Sequence, residues 1–144
     1  EWFDNTIFVF VGDHGKIVGT PRSDMPLSFN HVPLFIYSPS FIEPRQIQDL
    51  GGQVDIAPTI LGLLNIDYTD NGFGVNLLQE KRNAAFFTSD DAIGCVNDSL
   101  FYIYKPKENQ EWLLSQERAI EKRGNIDNPA VCQELREYAF SNTS

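Results

Sequence analysis

The sequence predicts an α/β fold, and three observations carry that prediction. Two apolar runs rich in β-branched and aromatic residues, at residues 6–11 and 34–36, read as strands. Between residues 56 and 64 the apolar side chains fall at helical spacing. The last third alternates short apolar runs with polar turns, the pattern of a small antiparallel sheet, and closes on a helical segment.

In the first run, Thr6, Ile7, Phe8, Val9, Phe10 and Val11 have no polar interruption beyond the opening threonine. Such a run predicts a strand buried on both faces, as in a parallel α/β sheet. It ends in Gly12-Asp13-His14-Gly15, which delivers a carboxylate and an imidazole to the carboxyl edge of the sheet. Ligands of open α/β folds bind outside that edge. An Asp oxygen beside a His nitrogen suits a divalent cation such as zinc or manganese. Taken alone, the dipeptide fits equally well an aspartate capping a turn beside a solvated imidazole.

Residues 16–30 carry Gly19, Pro21 and Pro26 and read as a loop lying over that edge. Lys16 and Arg22 in it can clamp an anionic oxygen, although solvation at the surface is the simpler reading. His31 precedes the second run, where it can reach the same crevice as a second metal ligand or a substrate-binding donor, or serve the structure only. Pro33 has no N–H to give to a ladder, so the strand either starts after it or lies where the missing donor does no harm. Residues 42–52 read as a surface connection. Asp55 then stands where a helix cap belongs, with Pro58 tolerated in the first turn.

Beyond a turn-rich stretch at 67–74, residues 84–88, 100–104 and 112–114 are strand candidates, with Asp90 and Asp91 as solvated turn carboxylates. Residues 115–122 and 129–140 look helical, the second opened by Asn128 as cap and Pro129 as first residue. Cys95 and Cys132 have no Cys-x-x-Cys spacing and read as two buried thiols, with a disulfide left open.

The chain has 144 residues and a net charge of −9, with 11 basic against 20 acidic residues and no basic cluster. That balance argues against nucleic acid and against docking on anionic lipid. No apolar stretch is long enough to cross a membrane.

The order Asp13-His14-Gly15, then Asn30-His31-Val32-Pro33-Leu34-Phe35-Ile36-Tyr37, then Gln53-Val54-Asp55-Ile56-Ala57-Pro58-Thr59, then Phe73-Gly74 resembles one superfamily throughout residues 1–90. It is similar to the C-terminal part of sulfatase and alkaline-phosphatase superfamily enzymes, and within them to the lipoteichoic-acid-synthase-like and phosphoethanolamine-transferase-like group. The resemblance implies the C-terminal part of an alkaline-phosphatase-like α/β/α sandwich. Residues 1–80 would belong to its core, and 81–144 would add a small antiparallel sheet and C-terminal helices to the same domain. It implies Asp13 and His14 as ligands of a divalent metal ion (manganese, zinc, magnesium or calcium), with His31 as substrate-binding residue or second-metal ligand.

Members carry a Thr, Ser or modified Cys nucleophile upstream of the Asp-His strand. The resemblance therefore implies a partner, the N-terminal half of the same polypeptide, without which these residues are inactive. The implied substrate is a phospho- or sulfo-ester, lipid-linked in the transferase branch, handled outside the cytoplasm by a membrane-anchored parent. Sulfatases acting on sulfated carbohydrate are the second reading. They often have Asp-Asn where this chain has Asp13-His14. A non-catalytic interaction module is the third.

Overall fold

The computed structural model describes residues 1–17, 25–69, 72–89, 91–115 and 127–141. The chain forms two compact units, Glu1–Gln48 and Asp49–Ser144. Arg22, Asp90 and residues 116–122 of the helix expected at 115–122 lie outside the described residues, while Ser115 is a strand residue.

In the first unit, a 3₁₀ turn at Phe3–Asn5 leads into β1 (Phe8–Val11), and the short helix α1 (Leu27–Asn30) leads into β2 (Leu34–Tyr37). The two strands pair antiparallel, from Phe8 opposite Tyr37 to Val11 opposite Leu34. Side chains alternate across a strand, so Phe8 and Phe10 share a face with Phe35 and Tyr37. On it the Phe8 ring lies 6.3 Å from Phe10, 6.0 Å from Tyr37 and 5.4 Å from Phe3.

Both apolar runs are strands, as expected, but the environment predicted for the first is corrected here. β1 is antiparallel to its neighbour, and Val9, Phe10 and Val11 are exposed, Phe10 at 57%. The reason is architectural. Among the described residues the sheet has two strands only, and a two-stranded ribbon needs a further layer to bury its faces. The apolar content of the run was read correctly; its burial was not.

The second unit begins with a 3₁₀ turn at Gln53–Asp55 that runs directly into α2 (Ile56–Leu63). Asn65, at φ 51°, ends this helix in the left-handed conformation, with the Ile66 N–H bonded to the Leu61 carbonyl at 3.0 Å. Next come β3 (Ala85–Ser89), β4 (Ala92–Val96), β5 (Leu100–Lys105) and β6 (Gln110–Ser115), an antiparallel sheet in chain order. The expected meander is present, with β4 as a strand that sequence reading left out.

The closing helix α3 (Pro129–Ser141) starts as its sequence predicts: the Asn128 side chain accepts from the Val131 N–H at 3.2 Å. Cys132, Leu135 and Ala139 of α3 are buried with Ala84, Cys95, Tyr102 and Leu113 of the sheet in one core. Leu113 is fully buried. Leu113→Ala should therefore destabilise the chain by about 2–5 kcal/mol, read as a lower urea midpoint. An unchanged midpoint would show that this core does not hold the unit.

Cys95 and Cys132 are both buried free thiols. Burial pushes the Cys95 thiol up to about 12, which removes its nucleophilic thiolate at neutral pH. Thiol reagents should accordingly leave Cys95 unmodified in the native chain and react after denaturation; rapid native labelling at Cys95 would contradict this packing.

One polar cluster joins the sheet to α3. Tyr102 donates to Glu111 Oε2 at 2.7 Å and accepts from Arg136 Nε at 3.0 Å, while Arg136 Nη2 also reaches Glu111. The Tyr102 hydrogen bond, with help from Arg136, lowers the Glu111 pKa. The Arg136 guanidinium lies 4.9 Å from the centroid of the Tyr104 ring.

Asp55 requires a second correction. It occupies the cap position of α2, but its carboxylate makes no cap bond to the helix. It is fully buried and accepts from the Gly52 N–H at 2.7 Å, the Val75 N–H at 2.8 Å and Arg82 Nε at 2.7 Å, with Arg82 Nη2 on its other oxygen. Arg82 also donates to the Phe73 carbonyl at 2.6 Å and to the Tyr138 hydroxyl at 2.8 Å. Tyr138 in turn donates to the Ala84 carbonyl at 2.9 Å. Burial opposes the charge on Arg82, and the Asp55 carboxylate outweighs it and raises the Arg82 pKa. This forked pair ties α2, the 73–75 segment, the start of the sheet and α3 together, a larger structural task than capping one helix.

Candidate metal-ligand loop

The site begins where β1 runs out. The register closes at Val11 opposite Leu34, so the residues after β1 and those before β2 lie at the same end of the ribbon. Gly12 brings the two connections together: a Cβ there would stand 3.3 Å from Val32 Cγ1. Gly15 docks the loop on α1, its N–H bonded to the Phe29 carbonyl at 2.7 Å. A Cβ on Gly15 would come 2.2 Å from the Ser28 carbonyl oxygen, so no side chain fits. The two glycines flanking Asp13-His14 thus have distinct steric jobs.

Between them the carboxylate and the imidazole turn toward each other. The Asp13 Oδ1 accepts the His14 N–H at 2.9 Å, which folds the carboxylate back along the loop. His14 Nδ1 is 2.8 Å from the Gly15 carbonyl. A carbonyl only accepts, so that contact places the proton on Nδ1 and leaves the lone pair of a neutral ring on Nε2. Nε2 in turn lies 3.8 Å from Asp13 Oδ2. The face of the imidazole stacks on the Phe29 ring, with centroids 4.6 Å apart and planes 16° from parallel.

Both atoms are open to solvent, so a water, a proton on Nε2 or a cation can stand between them, and the spacing is compatible with a cation. Bonds of about 2.0–2.2 Å at tetrahedral angles separate two ligand atoms by roughly 3.4 Å, within a small side-chain rotation of what is seen. Nitrogen with carboxylate oxygen is a set that zinc and manganese accept readily. Both side chains are solvent-accessible, so an ion can reach them from outside.

The other residues singled out in the sequence fall as follows. His31 is exposed at the end of α1, its N–H bonded to the Leu27 carbonyl at 2.7 Å. It is at the same end of the ribbon as the Asp-His pair, yet among the described residues no three His, Cys, Asp or Glu side chains gather into a metal-holding group. Lys16 is exposed. Asp91 is an exposed turn residue 3.7 Å from Lys105 Nζ. A cleft of about 550 Å³ in the second unit is lined by Asn65, Asp67, Tyr68, Asn76, Gln79 and Glu80 among others, and holds no histidine or cysteine.

Sequence reading missed Phe29 and Arg82. Phe29 sat in a segment read as loop; the signal available was Pro26 followed by Leu27, a start of the kind that opens a helical turn. Arg82 offered no signal beyond being a cation beside a predicted strand.

Comparison with known proteins shows what the chain is similar to. The sulfatase family model matches residues 2–66. The lipoteichoic acid synthase-like protein YvgJ of Bacillus subtilis is 33% identical over 61% of this chain and 18% of its own length. An arylsulfatase of Clostridium perfringens is 32% identical over 76% of this chain and 25% of its own. The crystal structure of an alkaline phosphatase superfamily protein from Vibrio parahaemolyticus superposes with a TM-score of 0.81 at 20% identity, over 99% of this chain and 35% of that one. The chain thus spans a quarter or less of the length of these two curated relatives. Among the described residues no helix is long and apolar enough to cross a membrane.

Proposed function

We propose that this chain, whose residues 2–66 match the sulfatase family model, belongs to that family and supplies the Asp13-His14 part of a metal-dependent active site acting on phospho- or sulfo-esters. The observation that carries the reading is the convergence of His14 Nε2 and Asp13 Oδ2 at 3.8 Å, with Nδ1 committed to Gly15.

In this reading the loop performs three tasks. Gly12 and Gly15 set the backbone so that both side chains project from one turn. Asp13 brings the negative charge that holds a cation, and His14 brings a neutral nitrogen whose orientation Gly15 fixes. A bound divalent ion (manganese, zinc, magnesium or calcium) would polarise the ester oxygens and lower the pKa of a coordinated hydroxyl. His31, at the same end of the ribbon, is placed to donate to a substrate oxygen or to reach a second ion. The remaining ligands and the nucleophile would come from the rest of the enzyme, the N-terminal half of the polypeptide. Its assignment of residues 81–144 to the same catalytic domain belongs to this reading as well.

The leading activity is phosphotransfer, moving a phospho-alcohol group from a lipid donor, outside the cytoplasm and from a membrane-anchored parent. The imidazole at position 14 and the resemblance to YvgJ favour it. Sulfate-ester hydrolysis is the second reading, favoured by the arylsulfatase relative.

The test is turnover of p-nitrophenyl phosphate and p-nitrophenyl sulfate, in the presence of Mn²⁺, by residues 1–144 alone and by the enzyme extended to the length of its relatives. We expect no turnover by the short chain, and release by the long one from the ester that matches its class. Turnover by residues 1–144 alone would show that the site is complete without further chain.

A further inference from the structure

We propose that Phe29 is a positioning residue for the metal-ligand pair: it clamps the His14 imidazole so that Nε2 faces Asp13. This rests on the metal reading above and names a residue that the sequence motif does not contain.

An exposed imidazole has two soft torsions, and a ligand nitrogen must be aimed to bind well. Two contacts stop the ring here. The Gly15 carbonyl holds the Nδ1 edge at 2.8 Å, which sets rotation about the last torsion. The Phe29 ring covers one face at 4.6 Å and 16°, which blocks swinging toward α1. Among the described residues, the remaining neighbour of the ring is Asp13 itself. Phe29 is in turn held from the same loop, because its carbonyl accepts the Gly15 N–H at 2.7 Å. Ring and backbone of one residue therefore grip both ends of the His14-Gly15 step. The half-buried α1 becomes a brace for the loop, which explains why Gly15 leaves no space for a Cβ between itself and Ser28.

The chain contains two histidines, His14 and His31, which makes the proposal readable by NMR. A proton above an aromatic face is shifted upfield, and among the described residues no ring stacks on His31, which serves as the reference. In the metal-free chain, the His14 ring protons should lie upfield of those of His31. Phe29→Leu, which keeps apolar volume without the ring, should abolish the difference, and Phe29→Tyr should keep it. Titration with Zn²⁺, followed on the His14 resonances, should give a dissociation constant roughly two- to tenfold weaker in Phe29→Leu, with Phe29→Tyr close to wild type. Circular dichroism of each variant reports whether the fold persists.

Two results overturn the role of Phe29 and leave the metal site standing. One is an upfield shift that survives Phe29→Leu. The other is a Zn²⁺ affinity unchanged by Phe29→Leu but lost in Asp13→Ala. If neither Zn²⁺ nor Mn²⁺ perturbs His14 in the wild-type chain or in the extended enzyme, the metal reading itself falls, and the Phe29 role with it.

Discussion

Replacing Arg82 with Met should cost the chain about 3–5 kcal/mol, a large part of the 5–15 kcal/mol that holds a typical domain together. The side chains of Arg82 and Asp55 are 4% and 0% exposed, so neither can turn to water when its partner is removed. Methionine keeps most of the apolar stem and removes every donor. Asp55 would retain the Gly52 and Val75 N–H groups but lose the guanidinium paired with it, leaving a buried carboxylate uncompensated. The Phe73 carbonyl and the Tyr138 hydroxyl would lose their donor in the same step. Asp55→Ala should be similarly severe, because it orphans a guanidinium and two backbone donors. The double replacement should cost clearly less than the sum, since it removes both charges. Urea unfolding of the set reads this out. Single variants within about 1 kcal/mol of wild type would show that the pair is spectator rather than anchor.

The second large effect concerns chemistry. In the complete enzyme, Asp13→Ala and His14→Ala should each lower turnover at least about a hundredfold, since even residues that only orient metal ligands are worth 10–100-fold. Fold stability should barely change, because both side chains are exposed and their described partners lie within their own loop and at Phe29. That separation is the point of the prediction: the Arg82 and Asp55 variants lose stability, whereas the Asp13 and His14 variants keep it and lose activity. His31→Ala should fall between them in activity if it donates to substrate, through a raised KM.

The sequence showed much of this in advance, and the reasons differ by element. The strands at Phe8–Val11 and Leu34–Tyr37 and the helix at Ile56–Leu63 announce themselves through uninterrupted or periodic apolar residues. The start of α3 was readable because Asn128-Pro129 encodes a capped helix directly. β4 was hidden by its glycine. Gly94 inside Ala92–Val96 looks like a breaker, but in the structure it makes room for the Phe87 ring of β3, whose Cε2 would lie 2.6 Å from a Cβ at that position. The need for that glycine arises across the sheet, where no local pattern can show it.

Burial of β1 was misjudged for a related reason. An apolar run reports what a strand is made for, and its exposure depends on which layers are present. The role of Asp55 was misread because a cap and a buried ion pair begin with the same residue at the same helix position. What separates them is Arg82, 27 residues away. In the candidate site, Asp13 and His14 were legible because both residues and both glycines are consecutive in sequence. Phe29 was not, because its contact with His14 is made by the fold.

The central claim is that Asp13 and His14 together hold a divalent cation. It is tested most directly by the metal content of the complete enzyme after gel filtration, measured by elemental analysis beside the double variant Asp13→Ala/His14→Ala. The account predicts that the wild-type enzyme retains manganese, zinc, magnesium or calcium and that the folded double variant does not. A double variant that keeps the wild-type metal content would contradict it.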